Sequence, residues 1–455
     1  MTPPDEDAGV ELGLPAAENR SQDLVEGDRV ELVTGAPAHG GHCVARLGGE
    51  HGRVVFVRHA LPGERVTAEI TELHRGYLRA DAVAVHDASP DRVEPPCPYA
   101  HPGGCGGCDL QHAAPAAQLE WKTAVVRELL ERLGGLDRER IDALDPAVRP
   151  LPGGPLGWRS RIRYAVDAAD RPGLLKHRSH EVVPIDFCRI AHPRLRELDV
   201  TARLWPGVSA VEAVASTGGD VTVLARAAAR GAGASARSSG EAAPGESMLD
   251  EAHGGERALL TGAPQVREVA AGREWQVPAE GFWQIHPAAA DTLVEAVLEL
   301  LRPEPGEVCW DLYGGAGLFA AAVAARTGAR TTVVESSPVG VAAARRNLAG
   351  VAGAEVVAAR VDAALARRRI AGPVDLVVLD PPRSGAGAKV VRAVAAARPR
   401  AVTYVACDPA ALARDVRTFA DEGWRLESLR AYDCFPMTQH VECVALLVPE
   451  TTKVT

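Results

Sequence analysis

The stretch Ala401-Val-Thr-Tyr-Val-Ala-Cys407-Asp408-Pro409 carries the side chain best suited to covalent chemistry in this 455-residue chain. An apolar run that stops at a Cys and turns through Asp-Pro into a helix-like segment reads as a buried parallel strand, ending at the carboxyl edge of a sheet. Ligands collect at that edge in open α/β folds, so a thiol there is placed for reaction. A free Cys is more often a small buried hydrophobe, and the thiol needs partners before it counts as a nucleophile. One candidate is Glu442, which opens the otherwise apolar run Glu442-Cys-Val-Ala-Leu-Leu447. A carboxylate there is costly unless it is paired, solvated at the mouth of a site, or functional.

A nucleoside pocket is legible upstream. Val308-Cys-Trp-Asp311-Leu-Tyr313-Gly314-Gly315-Ala-Gly317 reads strand, glycine turn, helix, and a second strand ends in Glu335. Glycines let backbone approach a ligand closely, and an acid about twenty residues on binds ribose hydroxyls. Asp-x-x-Gly-Gly-x-Gly, unlike Gly-x-Gly-x-x-Gly, puts an acid at the end of the first strand, which suits a cationic sulfonium better than a pyrophosphate. Asp362 follows a third strand-like run, and Asp380-Pro-Pro-Arg383 follows a fourth. Asp-Pro-Pro after a strand is typical of enzymes that methylate a base or similar planar group, since the prolines stiffen the loop and fix the acid.

A third constellation is Cys97-Pro-Tyr-Ala-His-Pro-Gly-Gly-Cys105-Gly-Gly-Cys108. Its glycines supply the positive φ that a tight ligating turn needs. A tetrathiolate site needs a fourth Cys, and Cys188 is the next along. Iron–sulfur and zinc both fit four thiolates.

The elements that must position these residues divide the chain. Residues 1–23 read as a disordered leader. Over 24–88, short β-like runs with Gly turns suggest a small barrel, and Val55-Phe-Val57 followed by Ala60-Leu-Pro-Gly-Glu64 resembles the TRAM domain, an oligonucleotide-binding-like barrel of RNA-modifying enzymes. A central domain spans 89–280, with a Gly/Ala/Ser/Glu-rich flexible insertion near 230–257 and a helix over 116–133. Arg159, Arg161 and Arg163 share a strand face, either to bind phosphate or as a solvated face. The catalytic unit spans 281–455. The fold class expected is multidomain α/β: a TRAM/OB-like barrel, a central α+β domain with a four-cysteine metal site, and a C-terminal Rossmann-like domain.

Bulk composition sets limits. The net charge of −10 argues against a nucleic-acid partner held by overall charge, so RNA contact must rest on local patches. No apolar run is long enough to cross a bilayer, and no signal pattern opens the chain. A soluble cytoplasmic protein with thiols and metal ligands is expected, as a monomer without membrane contact.

Taken together, these residues resemble the RNA 5-methyluridine methyltransferase family over nearly the whole chain after the leader. The resemblance rests on the barrel, the Cys97/Cys105/Cys108/Cys188 set, Gln284, Asp311-Leu-Tyr-Gly-Gly-Ala-Gly317, Asp380-Pro-Pro-Arg383, Cys407-Asp-Pro409 and Phe435-Pro-x-x-x-His-x-Glu442. It implies S-adenosylmethionine as cofactor, with Gln284, Tyr313, Gly315, Gly317, Glu335, Asp362 and Asp380 in its pocket. It also implies a 4Fe–4S cluster on the four Cys, ribosomal or transfer RNA as partner, Cys407 as nucleophile and Glu442 as proton acceptor. Gly314 and Leu318 depart from the family's turn, where Cys and Asn are common. Two rivals remain at this stage. An exocyclic-nitrogen methyltransferase would leave Cys407 and Glu442 without a role. A non-catalytic iron–sulfur RNA-binding or redox protein would not bind the methyl donor.

Overall fold

The structure, a computed structural model, describes residues 24–228 and 257–450. The expected leader, and all of the expected insertion but residue 257, lie outside the described residues. By contact pattern the described chain forms two compact units, 24–36 with 42–89, and 37–41 with 90–450.

The first unit is a strongly bent β-sheet. Its strands run in the spatial order Arg29–Val33, Arg65–Leu73, Tyr77–Asp87, Arg53–Arg58, His42–Leu47. All neighbours are antiparallel except Arg53–Arg58 beside Tyr77–Asp87. Alternation sends Val30, Leu32, Val55, Val57, Val66, Ile70 and Leu78 into one core, as a half-buried sheet requires. Three register shifts along the pairing of Arg65–Leu73 with Tyr77–Asp87 supply the bends that curl a sheet. The strand His42–Leu47 falls among the short runs expected over 24–88, and it lies between the glycine pairs Gly40-Gly41 and Gly48-Gly49.

The second unit holds an antiparallel sheet in the order Val182–Pro184, Pro172–Leu175, Arg161–Val166, Val208–Ala215, Val221–Ala227, Arg257–Thr261. Here the arginine-rich strand departs from expectation. Arg161 donates to the carbonyls of Ala279 and Gly281 at 3.1 and 2.8 Å and to Glu268 at 3.2 Å. Arg163 lies 3.9 Å from Glu212, and Arg159 lines the cysteine cavity. These guanidiniums brace the protein's own backbone and carboxylates. Period-two spacing reports a shared face, but not what covers it.

The same unit contains the sheet that carries the thiol. Its order is Ala354–Ala358, Thr331–Glu335, Cys309–Leu312, Leu376–Leu379, Ala401–Ala406, Glu442–Pro449, Trp424–Asp433, Val148–Pro150. The first five are mutually parallel. Leu376-Val-Val-Leu379 and Ala401–Ala406 are buried at every position, the pattern of strands covered on both faces. The last strand, Glu442–Pro449, runs antiparallel and inserts between Ala401–Ala406 and Trp424–Asp433. The order in which the chain adds strands reverses between Cys309–Leu312 and Leu376–Leu379, which opens a crevice at their carboxyl ends.

Candidate active site

Strand register brings the thiol and the carboxylate together. Ala406 pairs with Cys443, so one further step sets Cys407 opposite Glu442, and cross-strand partners share a face. The helix Pro409–Asp421 starts at once behind the thiol. Asp408 caps it by accepting from the Ala411 amide at 2.8 Å, and Pro409 fills the first turn, where a missing N–H costs nothing. Asp408 also pairs with His39 at 3.1 Å. The strand–cap–helix junction thus leaves the Cys407 side chain little freedom.

The loop after Leu376–Leu379 supplies the next groups. Asp380 donates its amide to the Leu312 carbonyl at 3.2 Å. Farther along, the Asp415 carboxylate accepts from the Ala386 amide at 2.8 Å, the Gly387 amide at 3.2 Å and the Tyr404 hydroxyl at 2.6 Å. That tie fixes the loop's far end to the helix behind Cys407. Arg383 donates to His440 Nε2 at 3.4 Å. Burial and the Arg383 charge hold His440 well below the usual imidazole range, so this ring is neutral and can accept.

Electrostatics of the edge are dominated by carboxylates taken out of water. Burial, reinforced by Asp311 and Glu335, raises the Asp380 carboxyl to about 8. Burial also raises Asp311 to about 7, against the Ala320 amide that favours its charged form. Glu442, only 3 % exposed, is pushed well above the usual range by burial and by Asp380, with Arg383 opposing. Burial, then Glu442 and Asp380, push the Cys407 thiol up, and Arg383 favours its thiolate. Asp311 Oδ1 is buried with no hydrogen-bond partner. Such a group calls for a donor or a cation.

The glycine turn shows where a ligand could lie. Tyr313 adopts a left-handed φ of 66°, uncommon for a side chain of its size and characteristic of sites under constraint. Gly315, at φ +53°, faces open space, whereas a Cβ on Gly314 would meet Val333 Cγ1 at 2.7 Å and Asp311 Oδ2 at 2.9 Å. A Cys at position 314 would therefore force the turn to shift. The Glu335 carboxylate accepts from the Gly315 amide at 3.0 Å and from the Ser336 and Ser337 amides at 2.7 and 2.6 Å, joining the second strand's tip to the turn. Asp362 is half-buried and pairs with Arg360 and Lys389; its charge is felt at the Tyr313 hydroxyl. Gln284 is buried. Leu318 packs into the core instead.

A clamp holds the segment that leads into Glu442. Lys122, fully buried on the helix Pro115–Arg132, donates to Asp433 at 2.6 Å and to the Phe435 carbonyl at 3.2 Å. Gln118, on the same helix, accepts from the Met437 amide at 3.0 Å. The Asp109 and Leu110 amides donate to the Met437 carbonyl at 3.1 and 3.0 Å, and Asp109 Oδ2 accepts from the Gln439 amide. Sequence reading gave Lys122, Asp433, Arg383 and His440 no role. Arg383 and His440 lay inside quoted motifs, but the Lys122–Asp433 pair spans over three hundred residues and left no local signal.

Cys97, Cys105, Cys108 and Cys188 line one small cavity with Tyr99 and Arg159. Burial raises Cys105 to about 11, and each of Cys105 and Cys108 feels Cys188. No group of three or more His, Cys, Asp or Glu among the described residues is drawn together as for a single metal ion.

A parallel nucleoside-type sheet whose crevice is lined with acids in place of phosphate-binding groups defines a Rossmann-like methyltransferase domain. The family model described as tRNA (Uracil-5-)-methyltransferase matches residues 269–450, and that of the TRAM domain matches 26–83. An uncharacterized RNA methyltransferase of Streptomyces avermitilis is 48% identical over 433 residues, covering 93% of this chain and 99% of the relative. The 23S rRNA (uracil(1939)-C(5))-methyltransferase RlmD of Alkalilimnicola ehrlichii is 34% identical, covering 88% and 92%. In fold, the chain is similar to Pyrococcus abyssi tRNA (uracil-54, C5)-methyltransferase, solved with S-adenosyl-L-homocysteine, with TM-score 0.64, 24% identity and 92% and 100% coverage. The chain belongs to the TRAM-bearing RNA (uracil-C5)-methyltransferase family.

Proposed function

We propose that this enzyme transfers a methyl group from S-adenosylmethionine to carbon 5 of a uridine in ribosomal or transfer RNA, through a transient bond from Cys407 to carbon 6. The observation that carries the reading is the register that sets Cys407 opposite Glu442 beside the Asp380–Arg383 loop.

Carbon 5 of uracil is too weak a nucleophile to take a methyl group unaided. Cys407, as the thiolate, adds to carbon 6, and the ring electrons shift into an enolate that makes carbon 5 reactive. S-adenosylmethionine supplies the methyl group from a cationic sulfonium. Glu442 then takes the carbon-5 proton, the double bond re-forms and Cys407 leaves. Asp311, Glu335 and Asp380, with Gln284, Tyr313, Gly315, Gly317 and Asp362, form the cofactor pocket. The unpartnered Asp311 Oδ1 and the open face of Gly315 support that assignment. A cation beside Asp311 and Asp380 favours their charged forms and offsets the burial that raises both. The target base must leave its stack to reach the thiol, and the barrel is a further surface for binding RNA. A substrate of this kind places the enzyme in the cytoplasm.

The resemblance to the family also leads us to propose a 4Fe–4S cluster held by Cys97, Cys105, Cys108 and Cys188, and the cavity that these four residues share supports it. A zinc ion draws four sulfurs to about 2.3 Å from one centre, whereas a cluster takes one thiolate per iron and needs them further apart. The cluster would tie the segment after Val182–Pro184 to the turn that precedes Asp109.

The test is an RNA pool carrying 5-fluorouridine, offered with S-adenosylmethionine. Fluorine cannot leave as a proton, so the methylated Cys407–RNA adduct should accumulate and be seen by mass spectrometry. Absence of the adduct, or normal methylation by Cys407→Ala, overturns the mechanism.

A further inference from the structure

The chain is poor in aromatic residues, 4% in all, yet the first unit gathers several rings on one outer face. Inward positions of its strands, Val55, Val57, Leu78 and Ala80, are fully buried, while Val54, Phe56, Tyr77 and Arg79 alternate outward and stay partly exposed. Parallel pairing sets Val54 beside Tyr77 and Phe56 beside Arg79. Tyr77 meets Phe56 edge-on at 5.4 Å. His74 stacks on Tyr77 at 4.4 Å and 23°. The Arg79 guanidinium sits over the Tyr77 ring at 5.6 Å, and His42 closes the row against Phe56 at 6.0 Å.

The row is braced from below. Arg53 donates to the His74 carbonyl. Glu72 pairs with His74 at 2.9 Å and with Arg79 at 3.3 Å, which fixes the ring and the guanidinium in place. The turn between His74 and Tyr77 closes through the His74 amide to the Tyr77 carbonyl at 3.0 Å, and it exposes Arg75 and Gly76.

We propose that Tyr77, Phe56 and His74 form a stacking platform for an unpaired base of the RNA substrate, with Arg79 and Arg75 facing its backbone. This rests on the reading of the protein as an RNA methyltransferase. Three features favour single-stranded RNA as the occupant. Rings are half-exposed side by side, every base has a face to stack on them, and guanidiniums adjoin them. Small barrels of this kind bind oligonucleotides on a strand face. A duplex offers no free base faces, so the platform selects a looped or unpaired stretch of the substrate. Glu72, the one carboxylate among these groups, is turned to Arg79 and His74 by its two ion pairs. Rings facing outward could instead serve only as cross-strand braces, and the experiment separates the two roles.

The full-length enzyme is titrated with an RNA that it methylates, carrying 2-aminopurine at successive unpaired positions. One position should be quenched on binding. In Tyr77→Leu, which keeps apolar bulk without a ring, that quenching should vanish and RNA affinity fall roughly tenfold. KM for RNA should rise with kcat held, and Tyr77→Trp should restore both. Phe56→Leu provides a second variant should the first fail to fold. Unchanged affinity and quenching in folded Tyr77→Leu or Phe56→Leu, even with a lowered melting temperature, would show that the rings only brace the barrel and would overturn the proposal. If wild-type enzyme methylates no RNA at all, it is the underlying reading that fails.

Discussion

At the scale of single residues, the site is a set of acids held out of water. The Asp380 carboxyl, raised from 3.8 to about 8, binds a proton in the folded state that the unfolded chain has already released across that interval. Its contribution to stability is therefore full below about pH 4 and lost as the pH climbs toward 8. Melting of the ligand-free protein should fall over this window, with Asp311 adding in the same direction up to about 7, and Asp380→Asn should flatten the fall. A melting temperature of Asp380→Asn with the wild-type pH slope would show that this acid is not perturbed. The proposed mechanism makes a kinetic prediction. If Glu442 is the proton acceptor and Cys407 the nucleophile, Glu442→Gln should drop turnover by roughly 10²–10⁴-fold while the methylated adduct builds up with ordinary RNA. Equal loss of adduct and product would place Glu442 before the addition step instead.

At the scale of elements, the helix Pro115–Arg132 acts as a strut for the segment between Asp433 and Glu442. Lys122→Met strands the Asp433 carboxylate in a buried place, and the cost of breaking such a pair is about 3–5 kcal/mol. Urea unfolding should show it, and Asp433→Leu in the Lys122→Met background should recover much of the loss because no lone charge remains. A double variant as unstable as the single would mean that the pair is not the source. This strut also marks where sequence legibility ended. The positions of Cys407, Glu442 and Asp380 at strand ends were legible because each sits where an apolar run meets a turn. The helix over 116–133 was legible from its apolar spacing, but its fully buried lysine looked like any surface cation. Arg161 misled for the same reason: its period-two neighbours show which face it shares, whereas its partners Ala279, Gly281 and Glu268 come from over a hundred residues away. The strand Trp424–Asp433 carries Arg and Glu between apolar residues, which blurs it into a loop when read alone.

At the scale of the whole molecule, two devices join distant parts of the chain. One is the cavity shared by Cys97, Cys105, Cys108 and Cys188. Protein prepared without oxygen should contain iron and acid-labile sulfide, and Cys188→Ala should lose both and melt lower, since the ligand set would be broken. Full iron content in Cys188→Ala would remove this residue from the set. The other device is the closing strand. Glu442–Pro449 slots between two strands that precede it in the sequence, so Glu442 reaches the sheet edge only after the strands on either side of it have been made. A polypeptide released early by the ribosome, short of residue 442, has the thiol but no carboxylate across from it. It also leaves Ala401–Ala406 and Trp424–Asp433 with bare edges that invite aggregation. A chain cut short there is therefore expected to leave RNA unmodified, so the strand that closes this sheet also completes the proposed site.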